Sequence, residues 1–353
     1  MRTKIINIQR DDLNINIDDI REAGSIIKNG GLVAFPTETV YGLGGNALNP
    51  QASEKIYAAK GRPSDNPLIV HVADFDSIKL ITTQVPEVAV KLAEAFWPGP
   101  LTMIFNKSEI VPLTTTGGLN TVAVRMPNDN IALEFIKHSG GYIAAPSANL
   151  SGRPSPTTAQ HVFEDMNERI EMILDGGPCN IGLESTIVDL TGSIPMILRP
   201  GYISQSMLEK VCGQVTVDPA ITGPVDAGLR PKAPGMKYRH YAPKGALSII
   251  SGDKAKVSDY IINAISNDHQ NGKRVGVIAC NETLEKYNMA DFIGAVGDRN
   301  DDIAISSSLY RLLRQCDEEN IDTIYSEEFD TPQLGMAIMN RLMKAAGHTV
   351  INL

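Results

Sequence analysis

Between residues 32 and 199, short runs of apolar and β-branched residues predict β-strands. Each run is bounded by Gly, Pro, Asn or Asp, which is typical of strand ends. Apolar residues at helical spacing between these runs predict helices. Strands and helices do not alternate strictly, so the pattern predicts an α/β or α+β domain with one large mixed sheet. The predicted strands are 32–35, 68–72, 101–105, 121–126, 142–145, 185–190 and 196–199, and the predicted helices are 17–31, 53–60, 85–96 and 130–138.

A different pattern begins after residue 245, where β-branched runs alternate with amphipathic segments. Alternation of this kind predicts a small parallel, Rossmann-like α/β domain. The segment before it is rich in Pro, Gly, Lys and Arg and predicts a basic, irregular tether. We therefore expect a first domain at 1–215, a linker at 216–245 and a second domain at 246–353.

Composition supports a globular protein of two domains. The chain has 353 residues, of which 42% are hydrophobic and 21% charged. The formal net charge is −9, so the protein as a whole would repel nucleic acid. Any contact with nucleic acid therefore needs a local basic patch.

The cysteines and apolar runs exclude several classes of protein. Cys179, Cys212, Cys280 and Cys316 form no CxxC pair and have no zinc-finger spacing to a histidine, which predicts reduced thiols and no metal site. No apolar run reaches about 18 residues, and the N-terminus lacks the apolar region of a signal peptide. These features predict a cytoplasmic protein without a membrane span.

The segment GLGGNA at 42–47 fits the weak form of a dinucleotide-binding fingerprint, G-x-G-x-x-A. That fingerprint needs a strand running directly into the glycines and a helix starting on them. Here PTETVY precedes the glycines and the next helix begins near Pro50, so we predict a Gly-rich turn. The sequence contains no P-loop, HExxH or G-x-S-x-G motif.

Polar clusters lie at the edges of several predicted strands or turns, and open sheets place ligands at strand ends. They are FPTETVYGLG at 35–44, KGRPSDNPL at 60–68, APSANLSGRPSPT at 145–157, ESTIVDL at 184–190 and ILRPG at 197–201. Each one alone fits a solvated turn or loop. Together they bring Lys60, Arg62, Arg125 and Arg199 to strand or turn edges, which indicates a cationic cleft for small anions such as ATP.

These motifs, with RMP at 125–127, resemble in sequence and order the YrdC-like L-threonylcarbamoyladenylate synthases. APGMKYRHYAP and the trailing α/β domain resemble the long, two-domain form of that family. The resemblance implies a YrdC-like catalytic domain with a large twisted mixed sheet. It implies synthesis of threonylcarbamoyl-AMP and pyrophosphate from L-threonine, bicarbonate or CO2, and ATP, with Mg2+ brought on the ATP. The product would pass to a tRNA threonylcarbamoyltransferase complex that modifies adenosine beside the anticodon, with at most a weak direct contact to tRNA.

The resemblance also implies roles for individual residues. L-threonine would contact Thr39, His71, Arg125, Ser185 and the backbone near Ala145. The nucleotide would contact Lys60, Arg62, Asn66, Thr121, Ser147, Asn149, Ser155 and Arg199, with Lys60 and Arg62 acting in catalysis on the phosphates. Tyr238, His240 and Tyr241 of the linker would close over the nucleotide as a lid.

Other interpretations remain open from the sequence. The aromatic residues of the linker are also compatible with simple packing between domains. YrdC-like domains occur in larger carbamoyltransferases that handle carbamoyl adenylate, although nothing here resembles the additional domains of those proteins. A double-stranded RNA-binding module is a third possibility, against which the net charge argues.

Overall fold

The computed structural model describes residues 2–221, 231–234 and 240–353. The chain divides into two compact units. Unit 1 comprises Met1–Ser151, Ser155–Asn180 and Glu184–Lys237, and unit 2 comprises Gly152–Pro154, Ile181–Leu183 and Tyr238–Leu353. The units separate inside the predicted linker, and the domain limits at residues 215 and 246 stay predictions. None of the described helices has the length and apolar character needed to cross a membrane.

Unit 1 is built on a mixed sheet, as the sequence predicts. Its strands are β1 (Lys4–Asn7), β2 (Val33–Phe35), β3 (Gly42–Asn46), β4 (Ile69–His71), β5 (Leu101–Asn106), β6 (Thr121–Arg125), β7 (Ile143–Ala145), β8 (Met172–Asp175), β9 (Thr186–Asp189), β10 (Met196–Arg199) and β11 (Thr216–Val217). Among the described residues they form an 11-stranded sheet in the order β1-β8-β2-β3-β7-β4-β6-β5-β9-β10-β11.

The helices of unit 1 include every one that the sequence predicts. They are α1 (Ile17–Lys28), α2 (Pro50–Lys60), α3 (Ile78–Ile81), α4 (Glu87–Phe96), α5 (Asn130–His138), α6 (Ala159–Met166) and α7 (Gln205–Cys212). Short 3-10 helices lie at Leu13–Asn16 and Pro219–Ile221. The sequence analysis does not find α3, α6 and α7, nor strands β1, β3, β8 and β11.

The two faces of the central strands are covered differently. Side chains alternate between faces along a strand, and Val70 and Val124 pack in the core that α2, α4, α6 and α7 cover. Ile69 and Ala123 point to the opposite face, where they form a small cluster with Ala233. His71 and Arg125 are two residues further along the same strands. They therefore share the second face.

The predicted turn at GLGGNA is wrong, because Gly42–Asn46 forms β3 in the middle of the sheet. Glycine disfavours strands by propensity, which explains the error. Here it is required by close packing. A Cβ on Gly44 would lie 2.9 Å from Cγ2 of Ile143 and 3.1 Å from the carbonyl oxygen of Val33.

Unit 2 contains the Rossmann-like parallel sheet that the sequence predicts. Its strands β12 (Ala246–Ser251), β13 (Val275–Ala279), β14 (Phe292–Ala295), β15 (Thr323–Glu327) and β16 (Val350–Asn352) lie in the order β14-β13-β15-β12-β16. All of the pairings are parallel. The helices are α8 (Lys254–Gln270), α9 (Asp302–Glu318) and α10 (Gly335–Ala345), while the helix predicted between β13 and β14 is a short 3-10 helix at Leu284–Tyr287.

We expect Gly44→Ala to destabilise unit 1 by about 1–3 kcal/mol, because the added methyl group overpacks the sheet interior. Urea denaturation followed by circular dichroism would measure the change. The matched control is Gly192→Ala, since the nearest atom to a Cβ there is 3.7 Å away. The control should stay within about 0.5 kcal/mol of the parent. Equal stability of the two variants would contradict the packing argument.

Candidate active site

Arg125 is a buried cation at the carboxyl end of β6. Its Nη1 donates to Oγ1 of Thr39 at 2.9 Å, and its Nη2 lies 2.6 Å from Oε2 of Glu38. Nε donates to the carbonyl oxygen of Gly99 at 3.4 Å. The other carboxylate oxygen of Glu38 accepts from the backbone N–H of Asn128 at 3.1 Å. Arg125 therefore joins the polar segment after β2 to the central strands.

His71 lies beside Arg125, because the two residues are paired in the parallel register of β4 and β6. Its Nδ1 is 3.1 Å from the carbonyl oxygen of Ile69, and its ring meets the edge of the Phe35 ring at 5.9 Å between centroids. Burial, together with the charge of Arg125, lowers the pKa of His71 from 6.5 to about 3. The imidazole is therefore neutral at physiological pH.

Ser185 is held by two neighbours on adjacent strands. Its Oγ lies 2.7 Å from Oγ1 of Thr102, and Thr102 pairs with Arg125 across β5 and β6. Arg199 donates from Nη2 to Oγ of Ser185 at 3.1 Å and from Nε to its carbonyl oxygen at 3.0 Å. Thr39, His71, Arg125 and Ser185, all predicted to bind L-threonine, are thus linked by hydrogen bonds and strand pairing.

Lys60 is the last residue of α2, where the predicted helix at 53–60 ends and the predicted loop at 60–68 begins. Gly61 ends the helix in the left-handed conformation, with φ of 61°, which suits glycine. The buried Lys60 ammonium donates to the carbonyl oxygens of Ser147 and Asn149 and to Oδ1 of Asn149 at 3.3 Å. Ser147 Oγ also contacts Oδ1 of Asn149, at 2.5 Å. Lys60 thus orders the loop after β7.

Arg62 closes the loop that follows α2. Its Nε donates to the carbonyl oxygen of Asn66 at 3.3 Å and its Nη2 to that of Pro67 at 3.1 Å. Asn66 is buried, and its Oδ1 has no hydrogen-bond partner among the described residues. A buried acceptor without a donor costs free energy, so a donor from a ligand would stabilise this loop.

Strand register separates the predicted contacts into two groups. Thr121 begins β6 and Asn66 lies just before β4, while Ser147 follows β7, which runs antiparallel to β4. These residues lie at one end of the three strands. His71 and Arg125 lie at the other end of β4 and β6. Thr121 and Arg125 are four positions apart in the sequence, which corresponds to about 13 Å along the strand.

Three predicted contacts fall outside this simple division. Arg199 is predicted to bind the nucleotide, yet it holds Ser185 of the threonine group. Ser155, also a predicted nucleotide contact, donates to Oε1 of Glu184 at 2.6 Å, next to Ser185 in sequence. Ala145 pairs with Ile69 and so lies between the two ends.

Of the three linker residues predicted to form a lid, the structure describes His240 and Tyr241. Tyr238 lies outside the described residues. The buried Tyr241 ring stacks on Tyr310 within unit 2 at 5.1 Å between centroids, and the Arg341 guanidinium lies 5.7 Å from its centre. The ring of His240 is 5.3 Å from that of Tyr241. Their function as a lid stays a prediction.

Three buried polar residues contact the predicted site but were not assigned to it from the sequence. Glu38 pairs with Arg125, Thr102 contacts Ser185, and Glu184 accepts from Ser155. Thr102 had a detectable signal, because strand alternation places it opposite the apolar Leu101 and Met103. Within the described parts of the chain, no group of three or more His, Cys, Asp or Glu residues could hold a metal ion.

The lowered pKa of His71 predicts a loss of stability in acid. The unfolded chain takes up a proton near pH 6.5, whereas the folded chain does so only near pH 3. The stabilisation is therefore complete above pH 6.5 and falls by about 1.4 kcal/mol per pH unit as the pH decreases between these values. We expect His71→Gln to lose this part of the slope in unfolding experiments at several pH values.

The control is His138→Gln, at a partly exposed histidine on α5. This variant should keep the slope of the parent chain. If His71→Gln and the parent lost stability equally between pH 6.5 and pH 3, a different buried group would be responsible.

Both units match known families. Residues 25–201 match the family described as Telomere recombination, and residues 203–347 match the one described as Threonylcarbamoyl-AMP synthase, C-terminal domain. The threonylcarbamoyl-AMP synthase of Pyrococcus abyssi is 48% identical over 350 residues, which cover 99% of each chain. That of Bacillus subtilis is 46% identical, covering 97% of this chain and 96% of the relative.

A solved structure agrees with these matches. The crystal structure of P. abyssi Sua5 complexed with L-threonine has a TM-score of 0.93 and 47% sequence identity. The match covers 99% of this chain and 100% of that one. The chain therefore belongs to the threonylcarbamoyl-AMP synthases, which are nucleotidyltransferase-type enzymes, in their two-domain form.

Proposed function

We propose that the chain converts L-threonine, bicarbonate or CO2, and ATP into threonylcarbamoyl-AMP and pyrophosphate. The observation that carries this proposal is the pair of polar groups at opposite ends of β4 and β6, about 13 Å apart along the strands. One group, around Arg125, suits an amino acid. The other, around Lys60 and Arg62, suits a nucleotide, so an amino acid and a nucleotide could be joined between them.

The Arg125 end is suited to L-threonine. A buried guanidinium is a natural partner for the substrate carboxylate, because it can donate two parallel hydrogen bonds. The hydroxyl groups of Thr39 and Ser185 and the neutral ring of His71 add polar atoms around it. A hydrogen bond to the threonine hydroxyl would reject valine, since a valine methyl would leave a buried polar group without a partner.

The Lys60 end is suited to phosphates. Lys60 and Arg62 supply positive charge for the phosphates. The amide oxygen of Asn66, which lacks a donor, would accept from a hydroxyl or amino group elsewhere on the nucleotide. ATP would bring Mg2+ with it. When bound, the ion would neutralise charge on the phosphates.

The chemistry requires positioning and positive charge, without a covalent enzyme intermediate. The threonine amine attacks CO2, a C–N bond forms, and one proton leaves to give a carbamate. A carbamate oxygen then attacks the α-phosphorus of ATP, forming a P–O bond as the bond to pyrophosphate breaks. Negative charge develops on phosphate oxygens, where Lys60 and Arg62 would stabilise it.

The product is a reactive mixed anhydride that a second enzyme must use. We propose that it is handed to a tRNA threonylcarbamoyltransferase complex for modification of adenosine beside the anticodon, in the cytoplasm. A lid formed by Tyr238, His240 and Tyr241 would protect it from water. A weak contact of this chain with the tRNA itself is part of the same proposal.

Pyrophosphate release from ATP and Mg2+ tests the reaction directly. We expect release to require both L-threonine and bicarbonate. Arg62→Ala should lower kcat on the order of 100-fold, because one charge on the phosphates is lost. Arg21→Ala, at an exposed arginine on α1, is the control and should be unaffected. Release without threonine, or activity with carbamoyl phosphate alone, would contradict the proposal, as would salt-sensitive RNA binding without any release.

Arg125→Lys should raise KM for L-threonine by about ten- to a hundredfold, because a lysine keeps the charge but loses bidentate binding. KM for ATP should change little, since Arg125 belongs to the other end of the strands. Steady-state kinetics with each substrate varied would separate the effects, with Arg21→Lys as control. An equal rise in both KM values would mean that Arg125 acts on the fold of the whole site.

A further inference from the structure

Unit 2 has a cleft of its own at the carboxyl ends of its parallel strands. The cleft has a volume of about 370 Å³ and is lined by residues that follow β12, β14 and β15. This volume lies in the range of small-molecule sites, about 300–1,000 Å³. Neither the proposed reaction nor the contacts predicted from the sequence use these residues.

The cleft lies at two neighbouring strands, β12 and β15, whose connections to the next strand run in opposite directions. From β12 the chain crosses over β15 to reach β13, whereas from β15 it crosses over β12 to reach β16. The two neighbouring strands therefore send their connections in opposite directions. Open α/β sheets bind ligands in the crevice that forms at such a point, outside the carboxyl ends of the strands.

An ion pair between the partly exposed Arg299 and the buried Glu327 lies at this cleft. Arg299 Nη2 binds Oε2 of Glu327, and the hydroxyl group of Tyr287 donates to Oε1 of Glu327 at 2.7 Å. Both carboxylate oxygens of Glu327 are thus engaged, while Nε and Nη1 of Arg299 make no hydrogen bond within the described chain. Desolvation of the Glu327 carboxylate makes this pair a weak source of stability, whereas the remaining donors of Arg299 suit a carboxylate.

Charges of both signs line the rest of the cleft without being paired to each other. The Lys254 ammonium and the Asp330 carboxylate make no hydrogen bond or ion pair within residues 2–221, 231–234 and 240–353, although both line the cleft. Glu328, which precedes Asp330 in the same segment after β15, also lines the cleft. Its Oε2 accepts a hydrogen bond from the hydroxyl group of Ser251. Ile250 and Val257 supply an apolar wall.

These charges disfavour a phosphate ligand. The lining has three carboxylates against two cations, so an anion alone would be repelled. The N-terminus of α8, the usual place for a phosphate, is already capped by Asp253, whose Oδ1 accepts from the N–H groups of Ala255 and Lys256 at 3.0 and 3.3 Å. The carboxylates do not form a metal-binding group either.

We propose that this cleft binds a small zwitterion of the α-amino acid class. The ligand carboxylate would lie between Arg299 and Lys254, and its ammonium group would face Asp330 and Glu328. Its side chain would pack on Ile250 and Val257. The cleft belongs to unit 2 alone, so this binding is separate from the threonine site proposed in unit 1.

Hydrogen–deuterium exchange of the full-length chain locates the binding. Each of the common L-amino acids, inorganic phosphate and AMP would be added separately at millimolar concentration. We expect at least one amino acid to slow exchange in peptides covering 250–258, 296–301 and 324–331. The matched amine lacking the carboxylate and the hydroxy acid lacking the ammonium should give no protection. Reading these unit 2 peptides keeps the result independent of threonine binding in unit 1.

Paired variants provide the control. The double variant Lys254→Gln, Asp330→Asn changes two exposed side chains of the cleft. It should lower the affinity for the protecting amino acid on the order of tenfold or more. Lys256→Gln with Asp259→Asn changes the same residue types at exposed positions of α8 outside the cleft and should preserve binding. The proposal is overturned if no amino acid protects these peptides, if phosphate or AMP protects them instead, or if protection survives the cleft variant.

Discussion

The arrangement of unit 1 depends on the buried guanidinium of Arg125. A charge removed from water is tolerated only with close partners, and Arg125 has Glu38, Thr39 and the carbonyl of Gly99. These partners come from the segment after β2 and from the turn before β5. The hydrogen bonds and the ion pair of this one cation therefore fix the positions of two loops. Burial, together with this charge, lowers the pKa of the neighbouring His71 and keeps it neutral.

The register of β4, β6 and β7 converts this local arrangement into a two-ended site. Once His71 pairs with Arg125, Asn66 and Thr121 are placed together at the opposite end. Because β7 is antiparallel to β4, the loop after it arrives at the end where Asn66 lies, and there it meets Lys60. The spacing between the two groups proposed to bind the amino acid and the nucleotide is therefore set by strand length, which side-chain motion cannot alter.

Much of the fold and of the candidate site could be predicted from the sequence, and the features that were missed have physical causes. The strands that contain His71, Arg125 and Ala145 were predicted because their apolar and β-branched runs are bounded by Gly, Pro, Asn or Asp. Strand β3 was missed, because its glycines are selected by the crowding of Val33 in the neighbouring strand and of Ile143, which lies far away in sequence. The contact between Arg199 and Ser185 was also out of reach, since it depends on how β9 and β10 pair. Only motif resemblance, which carries no coordinates, placed both residues in one site.

The cations expected to bind phosphate are already bonded to oxygen atoms of the protein. Lys60 donates to carbonyl groups after β7, Arg62 to those of Asn66 and Pro67, and Arg199 to Ser185. These neutral acceptors hold the cations in place before any ligand arrives, which lowers the ordering cost of binding. A phosphate oxygen is a stronger acceptor because it is charged, so it can add to or replace these bonds. In the proposed reaction, the neutral bonds would preorganise the positive charge and leave the strongest interaction to the reacting phosphate, where it would lower the barrier.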